Sequence, residues 1–378
     1  MKNISLSLIF RFLGIVGLSI ALAIACRPES STSTEDDIRR KFLEAVTTKQ
    51  IIPIYAEHIT QVTTLKESVD VFCNEPTQAH LTASRNAWQI ARGTWKKSEP
   101  FSFGPYREYP GRFGPKIDFW PVRPGDIELT IGEETWLETG DLSQSRGTSR
   151  GYASIEYLLY GPAVEGEDET LTHFSDNPKN CDFLQAASQD LLANSSGLHA
   201  AWVDPENGYQ SDLIDSGLGS TAFRSLNKGF SEVINRLGFT VENIREIKLA
   251  KAAGITTTIA DMTLLESYYS PRTIQDMLDN LSGVEAVYLG NYIGGEGLGV
   301  DDLIEDETNA TNTAMLAGLQ TVKQTLESLE SPMRTAITTE TEKLQTLYEQ
   351  LTALQRVIQI DLTQNLGVTL TFNETDGD

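Results

Sequence analysis

Apolar residues recur every three or four positions along most of this chain, and that periodicity limits the fold more than any other feature of the sequence. In the second half the pattern covers residues 223–238, 241–253, 272–289, 309–329 and 333–366. No stretch alternates apolar and polar residues for long enough to form a sheet. The sequence therefore predicts an all-α protein made of two helical-bundle domains.

Residues 1–25 have the features of a secretory signal peptide. Lys2 and Arg11 flank the start of an apolar run of roughly 14 residues, which is too short to span a bilayer. Small residues then precede Cys26, as in a bacterial lipobox. We expect Cys26 to be lipidated and to anchor the mature protein in the membrane; the alternative is an internal cysteine of a short anchor helix. The next residue, Arg27, resembles the sorting pattern for the outer membrane, so we expect a cell-envelope protein facing the periplasm.

The next residues, 26–37, are polar, small and acidic, and we expect them to form the lipid anchor and a flexible tether. The folded part should begin near Ile38 and contains about 340 residues, more than a single core usually holds. The clearest break in the helical pattern is Asp-Pro-Glu-Asn-Gly at 204–208. We therefore predict an N-terminal helical domain over 38–205 and a C-terminal helical-bundle domain over 206–378.

The composition is strongly acidic, with 53 acidic and 30 basic residues and a formal net charge of −23. So acidic a surface repels the phosphates of nucleic acids. DNA and RNA are therefore excluded as expected partners.

The chain has three cysteines, of which Cys73 and Cys181 remain once Cys26 is lipidated. In an oxidising compartment an even pair favours a disulfide. Two unrelated buried thiols are the alternative.

A helix of about three turns is predicted over 149–161, between an N-cap at Ser149 and a closing glycine. Its single acid, Glu156, shares one helix face with Tyr152 and Ala153. A carboxylate in so apolar a segment is expensive to bury unless a partner pairs with it or it titrates. Glu156 is thus the first candidate for function, against the alternative of a half-exposed residue or a structural ion pair.

Two arginines and two tryptophans form one stripe of a helix predicted over 77–98. These residues are Arg85, Trp88, Arg92 and Trp95. The tryptophans alone would indicate a core. The arginines would supply the cation that a buried acid needs, so a structural Arg–Glu pair is the alternative to a ligand site.

Residues 101–121 have the composition of a loop, with many glycines and prolines. Phe103, Trp120 and other aromatic residues make it apolar, so we expect it to pack over another part of the protein. The alternative is a structured linker without a chemical role.

The segment Gly-Tyr-Ala-Ser-Ile-Glu at 151–156 resembles the Gly-x-His-x-x-Glu signature of the imelysin family, with Ala153 at the histidine position. Four other segments resemble the same family. They are Asn-x-Trp-x-x-Ala-Arg-x-x-Trp at 86–95, Phe-Gly-Pro at 103–105, Asp-x-Trp-Pro at 118–121 and the glycine-rich stretch 288–302. Imelysin-like proteins are largely helical, secreted or lipid-anchored bacterial proteins. They were filed among metallopeptidases and are mostly linked to iron acquisition.

The resemblance implies a binding site at the domain junction, built around Glu156 with Asp118 and Trp120 close to it. The other binding candidates are Gly151, Tyr152, Arg85, Trp88, Arg92 and Phe103. Glu156 and Asp118, with tyrosine hydroxyls, would offer a metal hard oxygen ligands, which suit ferric iron more than zinc. Arg92 would oppose a bare cation and favour an anionic or chelated ligand.

Catalysis is not expected, because metallopeptidase chemistry needs about three protein ligands and a general base. The four histidines, His58, His80, His173 and His199, form no His-Glu-x-x-His pattern, and Ala153 removes the histidine of the family signature. We therefore expect a non-catalytic binding or accessory role in iron acquisition, with iron-transport proteins as partners. The alternatives are a metal-dependent peptidase with histidines from distant positions, or a structural lipoprotein that binds a partner protein.

Overall fold

The computed structural model describes residues 34–161, 169–304, 310–330 and 332–371, and divides the chain into two units, residues 1–38 and 39–378. Cys26, the predicted signal peptide and most of the predicted tether lie outside the described residues. Of the first unit only residues 34–38 are described, and they are helical. None of the helices in the described part is both long and apolar enough to cross a membrane.

The all-α prediction is confirmed. In the first half the helices are α1 Thr34–Ala45, α2 Ile52–Asn74, α3 Gln78–Lys97, α4 Gly114–Ile117, α5 Pro124–Gly132, α6 Glu134–Thr139, α7 Gly151–Tyr160, α8 Thr170–Asp176 and α9 Lys179–Val203. In the second half they are α10 Tyr209–Ile214, α11 Leu226–Glu242, α12 Lys251–Ala253, α13 Thr273–Leu289, α14 Ala310–Glu327, α15 Met333–Thr339, α16 Thr341–Arg356 and α17 Thr363–Asn365. Among the described residues the one β feature outside helices is an isolated bridge between Asp118 and Gly151.

The first helix begins at Thr34, four residues before the predicted start of the folded part at Ile38. Acidic residues fill its first turn, where they interact favourably with the helix dipole. The last residues of the predicted tether are therefore helical. A π-helical turn at Val46–Ile51 joins α1 directly to α2.

In the first half, α2 packs against α3 and α9, and α9 packs against α7. The core between them holds large aromatic side chains, among them Trp88, Phe103 and Trp202, each at most 2% exposed. Cys73 at the end of α2 and Cys181 in α9, the predicted pair, are joined by a disulfide. These contacts fix α3 and α7, which carry the signature residues, side by side.

In the second half, α11, α13, α14 and α16 pack together, and α13 also lies across α3 of the first half. Gly283 permits that crossing, because a Cβ atom there would lie 2.2 Å from the carbonyl oxygen of Lys97. The predicted division at residue 205 stays a prediction. Contacts such as the α3–α13 crossing join the sequence before and after it.

Candidate functional site

The glycine of the signature is required by a close backbone contact. Gly151 pairs with Asp118 in the isolated bridge and has φ +70°. A Cβ atom at this position would lie 2.1 Å from the carbonyl oxygen of Ile117. The structure therefore brings the loop residue Asp118 to the start of α7, the helix that carries Glu156.

The helix predicted over 149–161 is confirmed as α7, although its N-cap prediction was wrong. Arg150 is the N-cap, and Ser149 lies in a preceding 3-10 turn where its hydroxyl donates to the carbonyl of Arg146. Every residue from Gly151 to Leu159 is buried. The helix thus lies wholly inside the protein, and Glu156 faces other parts of the interior.

Glu156 is 1% exposed and is held by the second half of the chain. Its Oε1 atom accepts a hydrogen bond of 2.8 Å from the backbone N–H of Ser270. Burial raises the pKa of Glu156 to about 7, against the opposing influence of the Arg92 guanidinium. The Ser270 loop also carries Glu266 and Ser267, so this hydrogen bond ties α7 to the loop that leads into α13.

Arg92 is 1% exposed, and its hydrogen bonds go to other carboxylates than Glu156. Its Nη1 donates to Asp118 at 3.0 Å and its Nε to Asp276 at 2.9 Å. Nε also lies 3.0 Å from the hydroxyl of Ser267. Arg92 therefore links α3, the 101–121 loop and α13 in one buried network.

Lys96 extends the network one helical turn further along α3. Its ammonium group lies 2.5 Å from both Asp118 Oδ2 and Glu266 Oε1. Lys248 approaches the other oxygen of Glu266 at 3.2 Å. Although burial opposes ionisation, these cations hold the pKa values of Asp118 and Glu266 well below their ordinary range, and the carboxylates keep the pKa of Lys96 high.

A cavity of about 550 Å³ opens beside this network. Its lining comes from both halves of the chain and includes Lys96, Asp118 and Trp120 together with Lys248 and Glu266. Trp120 is partly buried, and its indole N–H donates to the carbonyl of Leu264 at 3.1 Å. Of the predicted site residues, Asp118 and Trp120 therefore line the cavity, whereas Glu156 is buried and does not line it.

The remaining predicted residues hold helices together. Trp88 Nε1 donates to the carbonyl of Tyr152 at 3.3 Å, which joins α3 to α7. Arg85 donates to the carbonyl of Leu159 at 2.6 Å and lies over the ring of Tyr160. Phe103 packs edge-on against Trp202 within the first-half core. These contacts are structural, and none of the three residues lines the cavity.

Sequence reasoning missed several residues of the network, among them Lys96, Glu266, Asp276 and Lys248. Lys96 follows Arg92 by four positions, so helical spacing could have placed it on the same face. The other three lie in distant segments of the second half, and only tertiary packing brings them near.

A histidine does lie beside the signature helix, although no pattern in the sequence predicted it there. Nε2 of His58, from α2, is 2.7 Å from the hydroxyl of Tyr152. His58 is 1% exposed, and burial lowers its pKa to about 3, so its ring is neutral. In the described ranges no group of three or more His, Cys, Asp and Glu side chains is arranged to hold a metal ion.

The imelysin family model matches residues 51–358. This chain belongs to the imelysin family. It is 24% identical over 338 residues to iron-regulated protein A of Synechococcus elongatus, covering 89% of this chain and 88% of that relative. The cavity and the ion network lie within the matched segment of this imelysin-family protein.

Two solved structures share the fold. A candidate iron-regulated protein A precursor from Parabacteroides distasonis has a TM-score of 0.73 and 18% identity, over 89% of this chain and 97% of that one. An imelysin-like protein from Psychrobacter arcticum has a TM-score of 0.71 and 17% identity, over 89% and 98%. At these identities the likeness establishes the fold.

Proposed function

We propose that this imelysin-family protein is a non-catalytic binding protein with a role in iron acquisition, and that its ligand site is the cavity between the two halves. The iron-related part rests on the family and on its relative, iron-regulated protein A. The cavity is of a size that suits a small ligand, since ligand pockets usually enclose about 300–1,000 Å³.

One observation carries the choice of site: the cavity wall is fixed by buried ion pairs that come from both halves. Asp118 and Lys96 belong to the first half, and Glu266 and Lys248 to the second. Their side chains are at most 8% exposed, so they are held in place before a ligand arrives. Side chains held in this way lose little entropy on binding, which favours recognition.

A direct metal site at Glu156 and Asp118 stays a prediction, and the contacts favour a chelated ligand over a bare ion. Both oxygens of Asp118 are occupied by Arg92 and Lys96. A metal ion would have to displace a buried cation from its carboxylate, and a buried charge that loses its partner is strongly unfavourable. A chelate carries its own ligands and avoids that exchange.

Attachment through lipidated Cys26, the periplasmic location and iron-transport partners belong to the same proposal. A ligand-binding protein held at the outer membrane could pass its ligand to a transporter. Mass spectrometry of the protein purified from bacterial membranes tests the anchor. An unmodified Cys26 would contradict it.

The function is tested by titrating the purified protein with Fe³⁺, Fe²⁺, Zn²⁺ and ferric citrate in a calorimeter. Stoichiometric binding of an iron species, with zinc weaker, supports the proposal. Peptidase activity on unfolded protein substrates that is lost with chelator would favour the metallopeptidase alternative. Failure of the folded protein to bind any iron species would overturn the iron-related role.

A further inference from the structure

The wall of the cavity carries more positive than negative charge, in a chain whose formal net charge is −23. Four cationic side chains line it, from Lys96, Arg107, Lys248 and Lys251, against three carboxylates, from Glu99, Asp118 and Glu266. The surplus is one positive charge. Because the chain as a whole is strongly acidic, this local reversal of sign calls for an explanation.

Two of the three carboxylates of the wall are already neutralised by protein cations. Asp118 is shared between Arg92 and Lys96, and Glu266 lies between Lys96 and Lys248. Each of these two carboxylates is paired with two cations. The ion-paired groups therefore carry no net negative charge, and they do not repel an anion. Neither Asp118 nor Glu266 is therefore available as an unpaired carboxylate for a cation that enters the cavity.

Lys251 is a cation of the cavity wall that takes part in none of these ion pairs. The residue is partly buried, and its ammonium group makes no hydrogen bond or ion pair with any residue of the described ranges. A partly buried ammonium group needs a counter-charge or water. Lys251 therefore supplies a cationic position that an anionic ligand can fill.

The backbone that presents Lys251 has unusual geometry. Residues Asn243–Ala250 are π-helical, and the N–H of Lys251 bonds to the carbonyl of Glu246, five residues earlier. This wider turn puts Asn243, Ile247 and Lys248 on the cavity side together with Lys251. Single π-helical turns within helices occur frequently at functional sites, because they reposition side chains at a cost in regularity.

We propose that the cavity binds an organic anion bearing several carboxylates, either free or wrapped around ferric iron, with Lys251 as its principal charged contact. This ligand class rests on the proposed function and narrows it. Inorganic anions are too small to fill a space of about 550 Å³, whereas an organic acid could reach Lys251 and also contact the partly buried Trp120. Carboxylate and hydroxyl oxygens are hard ligands, which suit ferric iron, so one molecule could satisfy both the cavity and the metal.

The test is calorimetric titration of the purified full-length protein with citrate, ferric citrate, inorganic phosphate and iron salts without citrate. Citrate and ferric citrate should bind, with affinity that falls as salt is added, because the main contact is between charges. Lys251→Glu should weaken binding by about tenfold or more, and Lys251→Arg should retain it, since it keeps the charge.

Lys228→Glu is the matched control. It makes the same charge change at an exposed position of α11, about 22 Å before Asn243 at 1.5 Å per residue, and Asn243 is the first residue after α11 that lines the cavity. Lys228 itself does not line the cavity. It should bind citrate as the wild type does. An equal loss in both variants would mean that only the overall charge matters, and would overturn the assignment of the site.

The other outcomes separate this inference from the proposed function. Iron salts that bind while citrate does not would overturn the anion inference and leave the iron-related role standing. Citrate binding without any uptake of iron would support the anion site and remove the iron role. Phosphate binding more tightly than citrate would overturn the carboxylate class.

Discussion

Replacing Glu156 by Gln tests whether burial disfavours the charged form of this carboxyl, as the structure indicates. Glu156→Gln keeps the shape of the side chain and an oxygen that can accept the hydrogen bond from Ser270. It removes only the ability to become charged. The change therefore isolates the electrostatic part of the Glu156 environment.

The magnitude follows from the pKa of Glu156, which burial raises from an ordinary value of 4.5 to about 7. A tenfold change in proton affinity corresponds to about 1.4 kcal/mol, so the difference amounts to about 3 kcal/mol. The folded protein holds the proton more tightly than the unfolded chain. The stabilisation is thus fully present below about pH 4.5 and is lost as the pH rises through about 7.

The assay is urea denaturation of wild type and Glu156→Gln at several pH values between 5 and 8, with the difference in unfolding free energy plotted against pH. Other titrating groups cancel in this difference. As the pH rises, the unfolding free energy of the variant should increase relative to that of the wild type by up to about 3 kcal/mol. A difference that is constant with pH, or that slopes the other way, would refute the account of a desolvated carboxyl beside Arg92.

Three further changes test the scaffold, each by urea or thermal denaturation. Replacing Cys73 by Ser opens a loop of 108 residues and should cost about 4–5 kcal/mol; a loss below 1 kcal/mol would mean that the loop is restrained without the disulfide. Gly151→Ala should cost more than about 2 kcal/mol, because of the positive φ and the carbonyl of Ile117, whereas Gly125→Ala, with open space around it, should be neutral or slightly stabilising. Lys96→Met should cost about 3–5 kcal/mol, because it leaves two buried carboxylates with one cation fewer, and an unchanged midpoint would contradict the buried network.

The signature segment has Ala153 where the Gly-x-His-x-x-Glu pattern has a histidine, and a histidine from another helix lies beside the same segment. Ala153, in place of the histidine, is 7% exposed. His58 approaches the same helix from α2 and binds the hydroxyl of Tyr152. A neutral, buried imidazole in this place packs against the ring of Tyr152 and shares a hydrogen bond with its hydroxyl.

Local patterns in the sequence determined the helical class and the position of most long helices. Periodic apolar residues predicted α11, α13 and α14, because burying one face of a helix requires that spacing whatever the partner is. The apolar surroundings of Glu156 likewise predicted an unusual acid. The sequence could not say what would meet it, because hydrogen-bond partners of buried groups come from segments far away along the chain.

Tertiary structure alone decided which charges share the site. A pair between Arg92 and Glu156 was the alternative to a ligand site, yet the hydrogen bonds of Arg92 go to Asp118 and Asp276. The crossing of α13 over α3 brings Asp276 to Arg92, and the loop before α5 brings Asp118. Glu156 instead receives a backbone N–H from Ser270, more than a hundred residues away. Ion pairs in an interior depend on separations of a few ångströms, and those separations are fixed only when the helices pack.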